Sequence, residues 1–227
     1  MRSHEAEAEP GWDVALPLGG PSLDAVLTAG FRDRAAAGLD LRVLPQPAVT
    51  VVLGLGHAPL TVEDAGGRRA LRGFVAALSP GPARIRGERV ECVEIRLSPR
   101  AAYALLGVSP RELDGCVAPS EDLWGRDERL LRERLAATPV WDRRLALVDG
   151  FLAERAARAP EMAPEVAAAR DTIVARRGNV RVAEPAASCG WSRKRLWSRF
   201  SAQTGLTSKR AAMPVRFDRA ARALRCW

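Results

Sequence analysis

The sequence has few of the residues from which catalytic and metal sites are built. It contains only two histidines, His4 and His57, and none of its four cysteines forms a Cys-x-x-Cys pair. Zinc sites draw on closely spaced cysteine and histidine, and nucleophilic or acid–base sites need a positioned base. We therefore expect no metal, no cofactor, no catalytic residue and no enzymatic activity.

The four cysteines and the glycine run at 54–57 do not change this expectation. Cys92, Cys116, Cys189 and Cys226 are far apart and are expected to be reduced, small hydrophobic residues. Redox sensing is an alternative for Cys189, because it lies beside a predicted turn. The run GLGH at 54–57 lacks the third glycine of a dinucleotide-binding loop, and we reject that interpretation.

Long hydrophobic runs are also missing. No apolar run approaches the ~20 residues that a membrane-spanning helix needs. The acidic N-terminal stretch MRSHEAEAEPGW lacks the apolar core that a secretory signal has. We therefore expect a cytoplasmic protein without a membrane partner. Hydrophobic residues still make up 47% of the 227 residues, which is enough for a packed core.

Positive charge is concentrated toward the C-terminal end. Residues 161–227 hold 14 Lys and Arg against 5 Asp and Glu, whereas residues 1–160 hold 21 against 22. The whole net charge of +8 therefore lies in the C-terminal third. This distribution is typical of a nucleic-acid-binding domain attached to a neutral one. A membrane surface or an acidic protein could use the same charge, but neither explains the motif that the region contains.

That motif is a helix-turn-helix pattern. Ala186 is a small residue where two helices must approach closely, and Gly190 would end the first helix through a left-handed conformation. Ser192 is a suitable N-cap for the second helix. Trp191 and Leu196 have the spacing of a hydrophobic staple across that cap. The turn therefore predicts two short helices held at a fixed angle.

The second helix, over residues 192–204, is predicted to be a recognition helix. Leu196 and Phe200 share one face and are expected to pack inward, which turns the cationic side outward. The residues predicted to contact DNA are Arg193, Lys194, Arg195, Trp197, Ser198, Arg199 and, beyond the helix, Lys209. The arginines and Lys209 would bind phosphates or guanines, and the others would face base edges. Trp197 could contact a thymine methyl or serve as a packing residue. A solvated cationic helix of some other helical domain is the alternative interpretation of the pattern.

Residues 179–224 resemble the first half of the DNA-binding domain of AraC/XylS-type transcription regulators. The run GWSRKRLWSRFSAQTGLTSKR carries the resemblance, with its turn glycine, serine-capped helix, Arg-Phe pair and Thr-Gly-Leu turn before a Lys-Arg helix. The resemblance implies sequence-specific binding to double-stranded DNA and permits a small-molecule effector and a homodimer. In that family two helix-turn-helix units are joined by a long helix, so the chain is expected to lack the second unit.

We predict an α+β fold in three segments. Residues 1–38 would be a poorly defined N-terminal segment, with a short helix over 22–37. Residues 39–158 would be a sensor or dimerisation domain that begins with a small antiparallel β-sheet or half-barrel over 39–97 and continues with packed helices. Residues 159–227 would form the all-α helix-turn-helix domain.

Local patterns add detail to the middle of the chain. Alternation predicts a strand with Val93, Ile95 and Leu97 on one face. Ser98-Pro99 and Ser109-Pro110 each predict a helix start. An apolar stripe at helical spacing predicts a helix that packs on the sheet or forms a dimer surface, packing being the commoner role. The stripe consists of Trp141, Leu145, Val148 and Leu152.

The C-terminal third is predicted to be helical around the motif. Prolines mark a linker over 155–164, and a support helix over 165–177 should cover the back of the recognition helix. Pro185 is tolerable only in the first turn of its helix, where its missing N–H has no partner anyway. A last helix is expected from Ser208, kinked by Pro214.

Two functions follow from these predictions. The first is a sequence-specific transcription regulator. The alternative is a non-enzymatic ligand-binding or dimerisation protein whose truncated C-terminal unit does not read DNA. Titration of labelled duplex DNA at low and moderate salt discriminates between them, because phosphate contacts make DNA binding strongly salt-dependent.

Overall fold

The computed structural model describes residues 11–18, 23, 26–43, 48–76, 83–108, 112–113, 117–159, 161–176, 179 and 184–204. Within these residues the chain has the predicted α+β class, with most strands preceding the helices. The strands are β1 (Trp12–Ala15), β2 (Val26–Asp33), β3 (Leu39–Val43), β4 (Val49–Gly54), β5 (Leu60–Asp64), β6 (Gly67–Leu71), β7 (Gly73–Ala76), β8 (Ala83–Gly87), β9 (Glu91–Leu97) and β10 (Val117–Pro119). The helices are α1 (Pro99–Leu106), α2 (Ser120–Ala137), α3 (Trp141–Ala157), α4 (Pro164–Ala175), α5 (Glu184–Ser188) and α6 (Arg193–Thr204).

The strands form two antiparallel sheets. One sheet has six strands in the order β1-β2-β9-β4-β7-β10, and the other has four in the order β3-β8-β5-β6. Strand β9 lies at the centre of the larger sheet, where Val93 is opposite Gly30 on β2 and Leu53 on β4. The predicted antiparallel pairing is therefore confirmed, but the strands form two sheets instead of one small sheet or half-barrel.

The alternation along β9 separates two hydrophobic cores. Ile95 and Leu97 are fully buried in a core shared with α1, α2 and α3, on the face that the sequence predicted. Cys92 points to the opposite face and packs with Val62 of the smaller sheet and Phe74 of the larger one. Because successive side chains of a strand point to opposite faces, one strand supplies both cores. The order of layers is therefore small sheet, large sheet and helices.

The N-terminal part of the chain differs from the prediction. The short helix expected over 22–37 is wrong, because β2 occupies this region and pairs with β9 along its whole length. The sheet therefore begins well before residue 39. Gly30 explains part of this pairing, since a Cβ placed there would lie 2.4 Å from the ring of Trp141. Only glycine lets that indole lie directly against the strand.

The helices that follow begin and pack largely as predicted. Ser98 caps α1 by accepting a hydrogen bond from the backbone N–H of Ala101 at 3.2 Å, with a proline in the first turn. The stripe on α3 is confirmed as a packing surface, with Leu145, Val148 and Leu152 buried in the core under the large sheet. Ser109-Pro110 lies outside the described residues.

A partly buried ionic cluster joins α3 to the large sheet. Arg144 is 4% exposed at its side chain and contacts Glu91 at 2.5 Å, while Arg32 contacts the same carboxylate at 2.6 Å. Arg144 also donates to the backbone carbonyl of Leu135. Burial by itself raises the pKa of Glu91, but the hydrogen bonds from the two arginines outweigh it and hold this pKa below its usual value. The carboxylate therefore stays ionised in the fold.

The segment between the β-rich part and the helix-turn-helix is shorter than predicted. Helix α3 continues to Ala157 and α4 begins at Pro164, which leaves residues 158–163 as the connection. The support helix, expected over 165–177, is α4. Within the described ranges, none of the helices combines the length and the apolar character that a bilayer crossing requires.

Candidate nucleic-acid interface

A tight turn joins α5 to α6 and has the hydrogen bonds of a Schellman motif. The N–H of Gly190 donates to the carbonyl of Ala187 at 3.3 Å, and the N–H of Trp191 donates to that of Ala186 at 3.1 Å. Gly190 has φ of 68°, the left-handed conformation in which a side chain would be strained. The predicted glycine bend is therefore confirmed. Pro185 is the second residue of α5, within the first turn as required.

The start of α6 is fixed by the predicted serine cap. The Ser192 hydroxyl accepts a hydrogen bond from the backbone N–H of Arg195 at 3.2 Å, and its carbonyl accepts from the N–H of Leu196 at 3.0 Å. Such a cap satisfies one of the orphan donors of the first turn and contributes about 1 kcal/mol. The turn and the cap together determine the direction in which α6 leaves α5.

The inner face of α6 lies on a small core of its own. Leu196 and Phe200 are 0% and 1% exposed, and they pack with Val166 and Ile173 of α4 and with Ala186 of α5. This confirms both the inward face of the helix and the supporting role of α4. At the far end of α6, the Gln203 amide oxygen accepts the backbone N–H of residue 163, which ties the helix to the segment before α4.

The outer face of α6 is cationic and exposed. Arg193, Lys194, Arg195, Ser198 and Arg199 are all exposed. The helix contains no acidic residue. The ion pairs of the neighbouring helices are Arg170–Asp171 and Arg176–Glu184, and none of the four cations of α6 has a carboxylate partner among the residues that the structure describes. The side chains predicted to contact DNA are thus brought to one surface, except Lys209, which lies outside the described residues.

Trp197 lies at the border of this surface. It is half-buried, packs against the core of α4, α5 and α6, and meets Phe200 edge to face with ring centroids 5.1 Å apart. The structure therefore shows the packing contact, which was one of its two predicted roles. Contact with a thymine methyl stays a prediction.

The first turn of α6 conflicts with the helix macrodipole. Arg193, Lys194 and Arg195 occupy its first three positions, and no acidic residue is present there. The N-terminus of a helix carries about half a positive charge, so a cation there is unfavourable where an anion would be stabilised by ~0.3–1 kcal/mol. A cationic first turn of this kind is suited to an anionic partner.

Helix α6 also contacts the β-rich part of the molecule through α1. The carbonyl of Leu105 on α1 accepts hydrogen bonds from the indole of Trp124 at 3.0 Å and from the guanidinium of Arg155 at 2.8 Å. These contacts fix α1 to α2 and α3. Helix α6 is therefore connected to the large sheet by a helix that begins directly after β9.

One feature of this surface was not predicted from the sequence. The guanidinium carbon of Arg195 lies 4.3 Å from the ring centroid of Trp191, a cation–π contact. The two residues are four apart across the cap, so their spacing was a usable signal.

Among the described residues, no group of three His, Cys, Asp or Glu side chains is arranged to hold a metal ion.

The two thiols that the structure describes, those of Cys92 and Cys189, form no disulfide bond. Cys92 is buried, and its burial raises the pKa of the thiol to about 12. Cys189 is half-buried beside the turn, and its sulfur lies 2.9 Å from the carbonyl oxygen of Pro185. Cys116 and Cys226 lie outside the described residues. A redox role for Cys189 stays a prediction.

No family model and no curated protein matches the chain. Solved structures are similar to it at low sequence identity. An apo variant of ToxT from Vibrio cholerae has a TM-score of 0.43 and 8% identity, over 89% of this chain and 84% of that one. Another ToxT crystal form from Vibrio cholerae has a TM-score of 0.41 and 12% identity, over 88% and 84%. CuxR, described as an AraC-like transcriptional activator, has a TM-score of 0.32 and 17% identity, over 96% and 87%.

Proposed function

We propose that the chain is a DNA-binding transcription regulator of the AraC type, in which α6 enters the major groove. The proposal rests on one observation, the exposed, cationic outer face of a short helix whose inner face is fixed on its own core. B-DNA has a major groove of about 12 Å, which admits one α-helix. A helix held by a Schellman turn, a serine cap and two buried side chains presents its outer face without further ordering.

Each exposed side chain has a role in the proposed complex. Lys194 and Ser198 are four residues apart on the outermost line of α6 and would face base edges, with Trp197 beside them. Arg195 and Arg199 lie on one flank of α6, and Arg193 is exposed at its first position. These three arginines would bind phosphates or a guanine, joined by Lys209. Three phosphate contacts among these four cations predict a salt dependence. The logarithm of the binding constant should fall with the logarithm of the salt concentration with a slope of about −3.

The proposal is tested by selecting bound fragments from genomic DNA and titrating the recovered duplex against an unrelated one. We expect Lys194→Ala combined with Ser198→Ala to reduce the preference between the two duplexes by about 5- to 150-fold, since a good base contact contributes ~1–3 kcal/mol of discrimination. The salt slope should change little. Arg129→Ala is the matched control, because it removes a cation from the exposed face of α2.

Two results would contradict the proposal. If the double variant keeps the wild-type preference, Lys194 and Ser198 do not face the bases. If the folded wild-type chain binds no duplex at low salt, the C-terminal unit does not read DNA. The second result would favour the alternative of a ligand-binding or dimerisation protein.

The effector and the homodimer are further proposals. A groove of about 610 Å³ lies against the smaller sheet and is lined by Asp40, Thr61 and Arg86 among others. Arg86 is already paired with Asp40 and Glu63, both at 3.5 Å. The groove therefore does not favour an effector of any one chemical class.

A further inference from the structure

We infer that Trp191 is a positioning residue, which holds the guanidinium of Arg195 ready to bind a DNA phosphate. The inference rests on the proposed function and assigns a role to a residue that was expected only to staple the turn. Its basis is the stacking of Arg195 on the indole at 4.3 Å, together with the hydrogen bonds that fix both residues to the same turn.

Arg195 differs from the other stacked arginines of the described residues in what surrounds it. Arg144 stacks on Trp141 at 4.7 Å and is also bound to the Glu91 carboxylate. Arg155 stacks on an indole at 5.5 Å and is also bound to a backbone carbonyl. Arg32 lies over the Trp141 ring at 5.4 Å and also pairs with Glu91. The contact of Arg195 with Trp191 is shorter than all three, and no carboxylate within the described ranges pairs with it. An arginine that lies over an aromatic face still has its N–H donors available to bind an anion.

Both partners are fixed by the turn. The backbone N–H of Trp191 donates to the carbonyl of Ala186, and its half-buried ring packs against the core of the helix-turn-helix. The backbone N–H of Arg195 donates to the Ser192 hydroxyl. The stacked pair therefore flanks the cap, and the guanidinium is held near the N-terminus of α6. An arginine ordered during folding loses less side-chain entropy when it binds its ligand.

The position of Arg195 favours a phosphate over a base. At about 100° per residue, Arg195 lies on the flank of α6 opposite to Trp197, away from the outermost line of Lys194 and Ser198. Side chains on the flank of a helix in the major groove face the backbone walls, whereas the outermost side chains face the base edges. The positive end of the helix macrodipole further favours an anion at this place.

A double-mutant cycle tests the inference on the full chain, with the selected duplex and the unrelated duplex. We expect Trp191→Leu to weaken binding to both by about 2- to 5-fold, the range for a cation–π contact at an exposed site. In the Arg195→Ala background, Trp191→Leu should have no further effect. Arg195→Ala should weaken binding to both duplexes by a similar factor. It should also make the slope of the salt dependence shallower by about one, as expected for a lost phosphate contact. Trp191→Phe should retain most of the affinity, because it keeps an aromatic face.

A supporting role of the ring alone predicts a different result. In that case Trp191→Leu would weaken binding equally with and without Arg195, and the inference would be overturned while the proposed function stands. A change in sequence preference on Arg195→Ala would instead place that side chain on a base and would also overturn it. If Trp191→Leu does not fold, Trp191→Phe is measured in the presence of Arg195 and in the Arg195→Ala background. We then expect a loss of affinity smaller than that of Trp191→Leu, and only where Arg195 is present. Absence of any DNA binding by the wild-type chain would refute the proposed function and this inference together.

Discussion

Phe200→Ala is the substitution that tests whether the inner face of α6 determines its function. Phe200 is 1% exposed and packs with Leu196, Val166 and Ile173 in a core that is separate from those of the sheets. Truncation of a buried phenylalanine costs about 3–5 kcal/mol, which includes the cavity that it leaves. The edge contact with Trp197 is lost as well.

The size of the helical unit sets the scale for this cost. Natural domains have about 0.05–0.15 kcal/mol of stability per residue, so the predicted unit of residues 159–227 is stable by about 3–10 kcal/mol. Removal of the Phe200 ring therefore consumes a large share of that stability. We expect α4, α5 and α6 to lose protection together, while the sheets keep their own cores and remain folded.

Hydrogen exchange and DNA titration measure the two parts of this prediction. Amides of α6 should exchange near the unstructured rate in Phe200→Ala, whereas amides of β9 should stay protected, and specific binding should be lost. Phe200→Leu is a graded control that keeps most of the volume. Leu130→Ala is a surface control, because Leu130 is 42% exposed on α2. If Phe200→Ala binds the selected duplex with wild-type affinity, the buried face does not orient the recognition helix and the reasoning is wrong.

Two further predictions concern groups away from α6. Because the pKa of Glu91 is lowered in the fold, its ion pairs with Arg32 and Arg144 stabilise the protein above the ordinary carboxyl value of 4.5, and this contribution is lost as pH falls through the lower folded value. Glu91→Gln should therefore flatten the acid side of a plot of urea midpoint against pH, and an unchanged acid limb would contradict the assignment. Burial raises the pKa of the Cys92 thiol to about 12, so this thiol should resist alkylation in the native protein and react only on unfolding. Peptide mapping of the labelled protein measures this, and rapid labelling of native Cys92 would argue against its burial.

The helix-turn-helix was predictable from the sequence because its signals are local. Gly190 is required by a positive φ, Ser192 by a cap, and Leu196 with Phe200 by helical spacing, so a stretch of a dozen residues specifies the geometry. Strand β9 was predictable for the same reason, since its alternation is visible without a partner.

The features that were missed depend on distant parts of the chain. The local pattern over β2 predicts a short helix, because its strand character comes from pairing with β9, about sixty residues later in the sequence. The contact of Arg144 with Glu91 joins residues 53 apart, and no local pattern marks it. The stacking of Arg195 on Trp191 is the exception, because its four-residue spacing was visible and the aromatic residue was assigned only to the turn.

The cationic first turn of α6 links the local sequence to the proposed function most directly. Ordinary helix chemistry favours Asp or Glu at these positions, and Arg193, Lys194 and Arg195 reverse that preference. The rest of the element follows the rules for a stable helix, with its cap and its buried face in place and Trp191 packed against the same core. Natural sequences tend to depart from local consistency where function requires it. A phosphate at this end of the helix would neutralise the cations and interact favourably with the macrodipole at the same time, so the arrangement that is unfavourable in the free protein becomes favourable on DNA.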